Sequence, residues 1–200
     1  MLVLATMSVF EATEYEAREF AGLDCSDGDL SGREFDECRF VDCNFSEASL
    51  ERSRFENCLF AGCNLSNPKI ARARFVDAAF EGCKLLGLNF YQCDQSRFDL
   101  AFKGCKIIAC NFSDTAMKRT KFLGCDFDDC FFQNAFLEEC DFSESSFKDT
   151  LFHNADLRKA VFRRARGYGI DPRNNKIQKA VFSVPEVLSL LDCFDIAIKD

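Results

Sequence analysis

The residues with chemical potential are few in kind. Thirteen cysteines and one histidine stand in a chain of 200 residues. Cys38 and Cys43, Cys58 and Cys63, Cys105 and Cys110, and Cys125 and Cys130 each lie five positions apart. Paired zinc ligands are separated by two to four residues, so this spacing points away from a metal centre. His153 follows a Phe and has no companion ligand motif. Gly167 and Gly169 bracket Tyr168 without extending into a dinucleotide fingerprint, and no phosphate loop or nucleophile elbow appears. The chain therefore reads as non-enzymatic, with no catalytic residue, no cofactor and no metal.

The elements that position these residues follow from one period. Stepping by five from Phe10 meets Tyr15, Phe20, Cys25, Leu30, Phe35 and so on to Phe90. The step fails at Gln95 and resumes two residues out of register at Phe102, running to Phe162. Nearly every slot holds Phe, Leu, Ile or Met, and 19 of the 24 Phe lie on this lattice. A second lattice, two positions earlier, holds mostly Cys, Ala, Ser, Thr or Gly. Each unit thus has one large and one small inward residue and three outward ones. A period of five fits neither an α-helix nor a simple strand. Four units with right-angle corners close a square coil of 20 residues, and stacked coils pair through parallel ladders about 4.8 Å apart. Ten cysteines fall in the small slot, where they read as compact packing groups rather than ligands. Continuity of the coil across the break predicts one interior column of reduced thiols: Cys43, Cys63, Cys83, Cys105 and Cys125, followed by Ser145.

Composition narrows the function classes. Hydrophobic residues are 48% and charged residues 29%, enough for one core in one domain. The net charge of −8 argues against direct binding of nucleic acid. No apolar run reaches the roughly 20 residues of a membrane-spanning helix. The start, MLVLATMSVF, lacks a basic region and a cleavage site, so no signal peptide is expected. Met7 is a possible alternative start, and the expected location is cytoplasmic.

Segments such as CNFSEASLERSRFENCLFAGCNLS and CDFDDCFFQNAFLEECDFSESSFKDTLFHNADLRKAVF resemble pentapeptide-repeat proteins. The resemblance covers about residues 8–166 and implies an all-β, right-handed quadrilateral β-helix with a C-terminal α-helix. The expected organisation is a repeat domain over 1–166, with its register break at 91–101, and a capping or dimerisation segment over 167–200. In that segment Ser183 and Glu186 have capping-box spacing, with Pro185 in the first turn and a helix over about 184–194. The tail is similar to that of the quinolone-, albicidin- and microcin-resistance members, in which it pairs two subunits. The resemblance implies a homodimer through Leu188, Leu191, Phe194 and Ile196. It also implies a DNA-mimicking protein that binds DNA gyrase or another type II topoisomerase and protects it from an antibiotic or toxin. The alternative is an interaction scaffold whose partner is unrelated to DNA topology.

Charge is banded along the chain. Residues 11–51 hold 13 acidic against 3 basic residues, and 126–149 hold 8 against 1. Residues 158–179 reverse the sign, with 8 basic against 1 acidic. The expected acidic surface comprises Asp27, Glu37, Asp42, Glu47, Asp129, Glu139, Glu144 and Asp149. The expected partner-contact loop comprises Tyr91, Gln92, Asp94, Gln95 and Arg97.

Overall fold

The computed structural model describes residues 10–199. The readings of the start, including Met7, fall on residues outside that range. From Phe10 the chain winds as a right-handed quadrilateral β-helix of about eight turns. A five-residue unit is too short to satisfy its own backbone, so its hydrogen bonds go to the coils above and below. Phe45 N donates to Asn64 O at 2.7 Å and Leu50 N to Lys69 O at 2.8 Å. Strands of two to four residues form the four faces.

The first face contains Glu14–Glu16, Glu34–Asp36, Arg54–Glu56 and Arg74–Val76. The second runs from Glu19–Ala21 through Lys121–Leu123 as one six-stranded parallel sheet. The third joins Asn64–Ser66, Lys84–Leu86, Lys106–Ile108, Asp126–Asp128 and Ser146–Lys148. The fourth is held mostly by single bridges such as Ser49 to Lys69 and Asn111 to Phe131. Partners are 20 residues apart, as in Phe40 with Phe60, except across the break, where Leu85 pairs with Ile107, and in the last coil, where Leu151 pairs with Gly169 only 18 residues on.

Each inward slot becomes a column. On the second face Phe40, Phe60, Phe80, Phe102 and Phe122 stack with ring centroids 4.8–5.2 Å apart and nearly parallel planes. Offset stacking adds about 0.5–1.5 kcal/mol per pair beyond the apolar area buried. The thiols lie beside the rings. Cys43, Cys63, Cys83 and Cys105 point their sulfurs at the carbonyls of Phe20, Phe40, Phe60 and Phe80, all at 3.3 Å. Cys125, next in the column, turns its sulfur to Leu123 O at 3.6 Å instead, and Ser145 resumes the series by donating to Phe122 O at 2.7 Å. The column thus crosses the break in register, and all thirteen cysteines are free. Burial pushes the thiols of Cys25, Cys58, Cys93 and Cys140 up to about 12. A thiolate there would be stranded among apolar neighbours.

Corners close the square. At nearly every corner the residue two after the large one has a positive φ, from 48° at Asp149 to 73° at Gly87. This left-handed conformation is strained for side chains branched at Cβ. The occupants are Asp, Glu, Asn, Arg, Lys, Ala and Gly, with no Val, Ile or Thr among the described corners.

The coil continues beyond residue 166. Gly169–Ile170 pairs with Leu151–Phe152, and Val181–Phe182 with Val161–Phe162, although the five-residue pattern has lapsed. Tyr168 fills the interior there at 1% exposure. Gly167 is required beside it, because a Cβ would stand 2.2 Å from Phe147 O. The tail helix, Glu186–Phe194, is wound as a 3-10 helix where the apolar pattern had implied an α-helix. Leu188, Leu191 and Phe194 recur every three residues, which suits three residues per turn. The expected cap at Ser183 does not form: its hydroxyl accepts from Arg164 N at 3.0 Å, one coil back. Pro185 precedes the helix instead of lying in its first turn.

Two measurements check this architecture. A thiol reagent should titrate about one group in the native protein, Cys193, the only cysteine not buried; all thirteen should react after denaturation. At the exposed corner of Asp129, φ 55°, Asp129→Val should lower stability by about 1–3 kcal/mol in a denaturant titration. Asp129→Gly should be tolerated.

Candidate functional site

The register break is built from the first face. Seven residues, Cys93 to Asp99, stand where five would complete that side of the coil. Cys93 keeps the small inward slot, its thiol 3.6 Å from Ile70 O, and Phe98 leans on the core 6.3 Å from the Phe90 ring. A 3-10 turn at Phe90–Gln92 leads into the segment, and a second at Gln95–Arg97 lies between Cys93 and Phe98. Asp94 ties the segment down: it accepts from Ser96 N at 2.9 Å and from Arg74 at 2.5 and 3.0 Å. Those hydrogen bonds, Ser96 first and Arg74 after, hold its carboxyl well below the usual range. Gln95 turns inward and donates to Phe90 O and Cys93 O, leaving its own Oε1 buried without a partner. Tyr91, Gln92 and Arg97 are exposed, while Asp94 and Gln95 are half-buried. The five residues thus share one anchored protrusion, with Tyr91, Gln92 and Arg97 its outer contact groups.

The eight acidic residues all occupy left-handed corners, but on three edges of the rod. Asp27 and Glu47 stack one coil apart, as do Asp129 and Asp149 on the same edge. Asn67, Gly87 and Ala109 separate the two pairs, about 19 Å from Glu47 to Asp129. Glu37 and Glu139 lie on a second edge, Asp42 and Glu144 on a third. The C-terminal members are partly neutralised. Glu139 meets Lys159 at 2.9 Å and Arg119 at 2.8 Å, which holds its carboxyl down at about 2. Glu144 faces Arg164 at 3.4 Å. Asp27 and Glu37 have no such cation among the described residues.

Sequence reasoning passed over a stronger acidic group on the first face. Glu14 pairs in register with Glu34 and Glu16 with Asp36, like charges directly opposite one another. With Arg54 and Glu56 they line a shallow groove of ≈ 480 Å³. The signal was a period of 20, which aligns residues 14 with 34 and 16 with 36, rather than the period of five.

At the other end the helix covers the last coil. Leu190 packs on the core and Ser189 Oγ donates to Tyr168 O at 3.3 Å. Leu188, Phe194 and Ile196 are 43%, 51% and 56% exposed, and Val184 and Ile198 extend the apolar surface. Leu191 is half-buried, so it belongs partly to the cap. Arg173 lies over the Phe194 ring at 5.7 Å.

No group of three or more His, Cys, Asp or Glu side chains is placed to hold a metal among the described residues. What remains is a rod with charged corners, one anchored loop and one apolar end, a set of features suited to gripping another macromolecule. Family models for pentapeptide repeats match residues 33–101, 101–134 and 118–161. The chain belongs to the pentapeptide-repeat family. Two solved structures of trypsin-treated variants of QnrB1, a plasmid-mediated fluoroquinolone resistance protein, share its fold. The first has a TM-score of 0.64 at 21% identity, covering 95% of this chain and 92% of the other. The second has a TM-score of 0.63 at 21% identity, covering 94% and 90%. No curated protein sequence matches the chain. No helix among the described residues is long and apolar enough to cross a membrane.

The exposed tail leads to a test of association. Replacing Leu188 and Phe194 with Asp should turn a dimer into a folded monomer in sedimentation. A folded dimer after both substitutions would leave the tail with capping alone.

Proposed function

We propose that this protein is a non-catalytic rod that binds DNA gyrase, or another type II topoisomerase, in the cytoplasm and protects it from an antibiotic or toxin. The observation that carries this reading is the acidity of the N-terminal coils, which Arg39 beside Glu19 and Arg54 beside Glu34 offset only in part. Asp27, Glu37, Asp42 and Glu47 project from three edges. Glu14, Glu16, Glu34 and Asp36 crowd the first face, in a stretch with 13 acidic and 3 basic residues. Rigid carboxylates at regular intervals attract a surface built to hold phosphates, and so compete with DNA there. Direct binding of nucleic acid by this end is electrostatically disfavoured.

The remaining features have parts in this reading. The anchored loop at residues 91–97 adds contacts that charge alone does not supply. The tail joins two rods through Leu188, Phe194 and Ile196, with Leu191 supporting them, and so doubles the reach of one subunit. The likeness in fold to a fluoroquinolone resistance protein supports the choice of target.

The test is gyrase supercoiling with titrated protein, in the presence and absence of a fluoroquinolone or albicidin. The native protein should restore supercoiling that the drug has blocked. Reversing Asp27 and Glu47 to Lys should weaken this about tenfold or more, and deleting two residues from 91–97 should weaken it while the protein stays folded. No binding, no protection and no inhibition would return the protein to a scaffold with an unrelated partner.

A further inference from the structure

On the edge of the rod diagonally opposite the 93–99 loop, the charge pattern inverts. Residues 52–121 hold 12 basic against 6 acidic residues. Three of these cations, Lys84, Lys103 and Lys106, gather where the second and third faces meet. Lys121 stands across the second face, in register with Ala101, and all four are exposed. Lys84 and Lys106 stand directly opposite each other in the ladder, a like-charge pair that costs stability. None of the four ammonium groups makes an ion pair or a hydrogen bond among the described residues, although Glu81 is in register with Lys103 and Asp126 with Lys106.

The floor between these lysines is apolar. Leu59, Ala79 and Ala101 point outward from successive coils of the second face in the column that Lys121 continues, with Leu123 in the column of Lys103. Leu86 and Ile108 extend the apolar surface on the third face, beyond Lys84 and Lys106. All six apolar side chains are half-buried. A shallow hollow of ≈ 160 Å³ opens over Ala79, Ala101 and Leu123, with Lys103 and Lys121 at its rim. The edge itself is bare: at Gly82, Gly104 and Gly124 no atom lies within 4 Å of where a Cβ would stand. Other corners of the same conformation carry Asp, Asn, Arg or Lys, so here nothing projects to hold a partner off.

The geometry points to this belt as a docking surface for an acidic amphipathic helix of a partner protein. Strand addition is closed to that partner, because the ladder groups are already paired: Gly104 N with Leu123 O at 2.8 Å, Lys106 N with Cys83 O at 2.9 Å. Side-chain packing is left, and a helix supplies an aliphatic stripe for the floor and flanking carboxylates for the lysines. From Leu59 to Leu123 the floor spans three rungs, about 14 Å, the length of a helix of about ten residues. This surface has the opposite sign to the acidic N-terminal coils, so it would take a second partner or a second part of the same one.

A labelled helical peptide with a Leu stripe flanked by Glu is the probe, with the same peptide carrying Lys for Glu as its control. Fluorescence anisotropy against the full chain should show binding of the Glu peptide, falling steeply as salt rises. Replacing Lys84, Lys103, Lys106 and Lys121 with Glu should cut that affinity by about tenfold or more and make the Lys peptide the better ligand. Ala101→Asp should weaken binding of the Glu peptide without changing the thermal transition. The proposal is overturned if the native chain does not prefer the Glu peptide, absence of binding included. It is also overturned if a short DNA duplex binds the same lysines more tightly than the Glu peptide and is indifferent to Ala101→Asp, which would make the belt a polyanion site.

Discussion

Everything in this molecule depends on where a backbone group finds its hydrogen-bond partner. A five-residue side cannot close a ring of its own, so the N–H and C=O groups of each coil pair with coils 20 residues away. That ladder sets a common height for every side of the square and aligns each residue type into a column. Stacked Phe rings, thiols facing carbonyls and left-handed corners all follow from one register. Because each coil touches only its neighbours, local sequence can vary widely provided the ladder is kept. The break at Cys93–Asp99 illustrates the rule. Two extra residues are absorbed on the first face by the 3-10 turn at Gln95–Arg97, while the other three faces pass from coil to coil with a step of 22.

The interior was legible in the sequence because a period of five reports directly on which side chains turn inward. Phe122, Cys105 and Ser145 sit where the lattice places them, even across the break. The ends were less legible. Beyond Arg166 the pattern lapses, yet the coil runs on to Phe182, because a ladder asks for extended backbone and not for a particular side chain. Tyr168 fills that last layer from a position off the lattice, and Gly167 allows it by clearing space beside Phe147. The tail pattern gave apolar residues every three positions, which α and 3-10 windings share. Ser183 was read as a cap on local spacing, whereas its hydroxyl is used by Arg164 of the coil before.

The placement of charge on the outer surface was less legible than the interior. Runs of Asp and Glu in sequence disperse over four faces, so the eight corner carboxylates fall on three edges. The clustering that matters arises at a spacing of 20, as for Glu14 with Glu34 and Lys84 with Lys106. Seen along the axis, the charge alternates: acidic at the first coils, basic at the waist, acidic again, then basic at the tail. Each height of the rod thus carries its own sign of charge, the feature on which the proposed binding role rests.

Hydrogen exchange tests the single continuous ladder most directly. The amides of Lys106 and Asn111 are bonded across the break to Cys83 O and Leu88 O at 2.9 and 2.8 Å. If one register holds the whole rod, they should be protected as strongly as those of Lys84 and Asn64, with rapid exchange at the break confined to residues 95–98. Two protection classes, one on each side of the break and opening separately, would mean that the solenoid is divided there and that its columns do not act as one body.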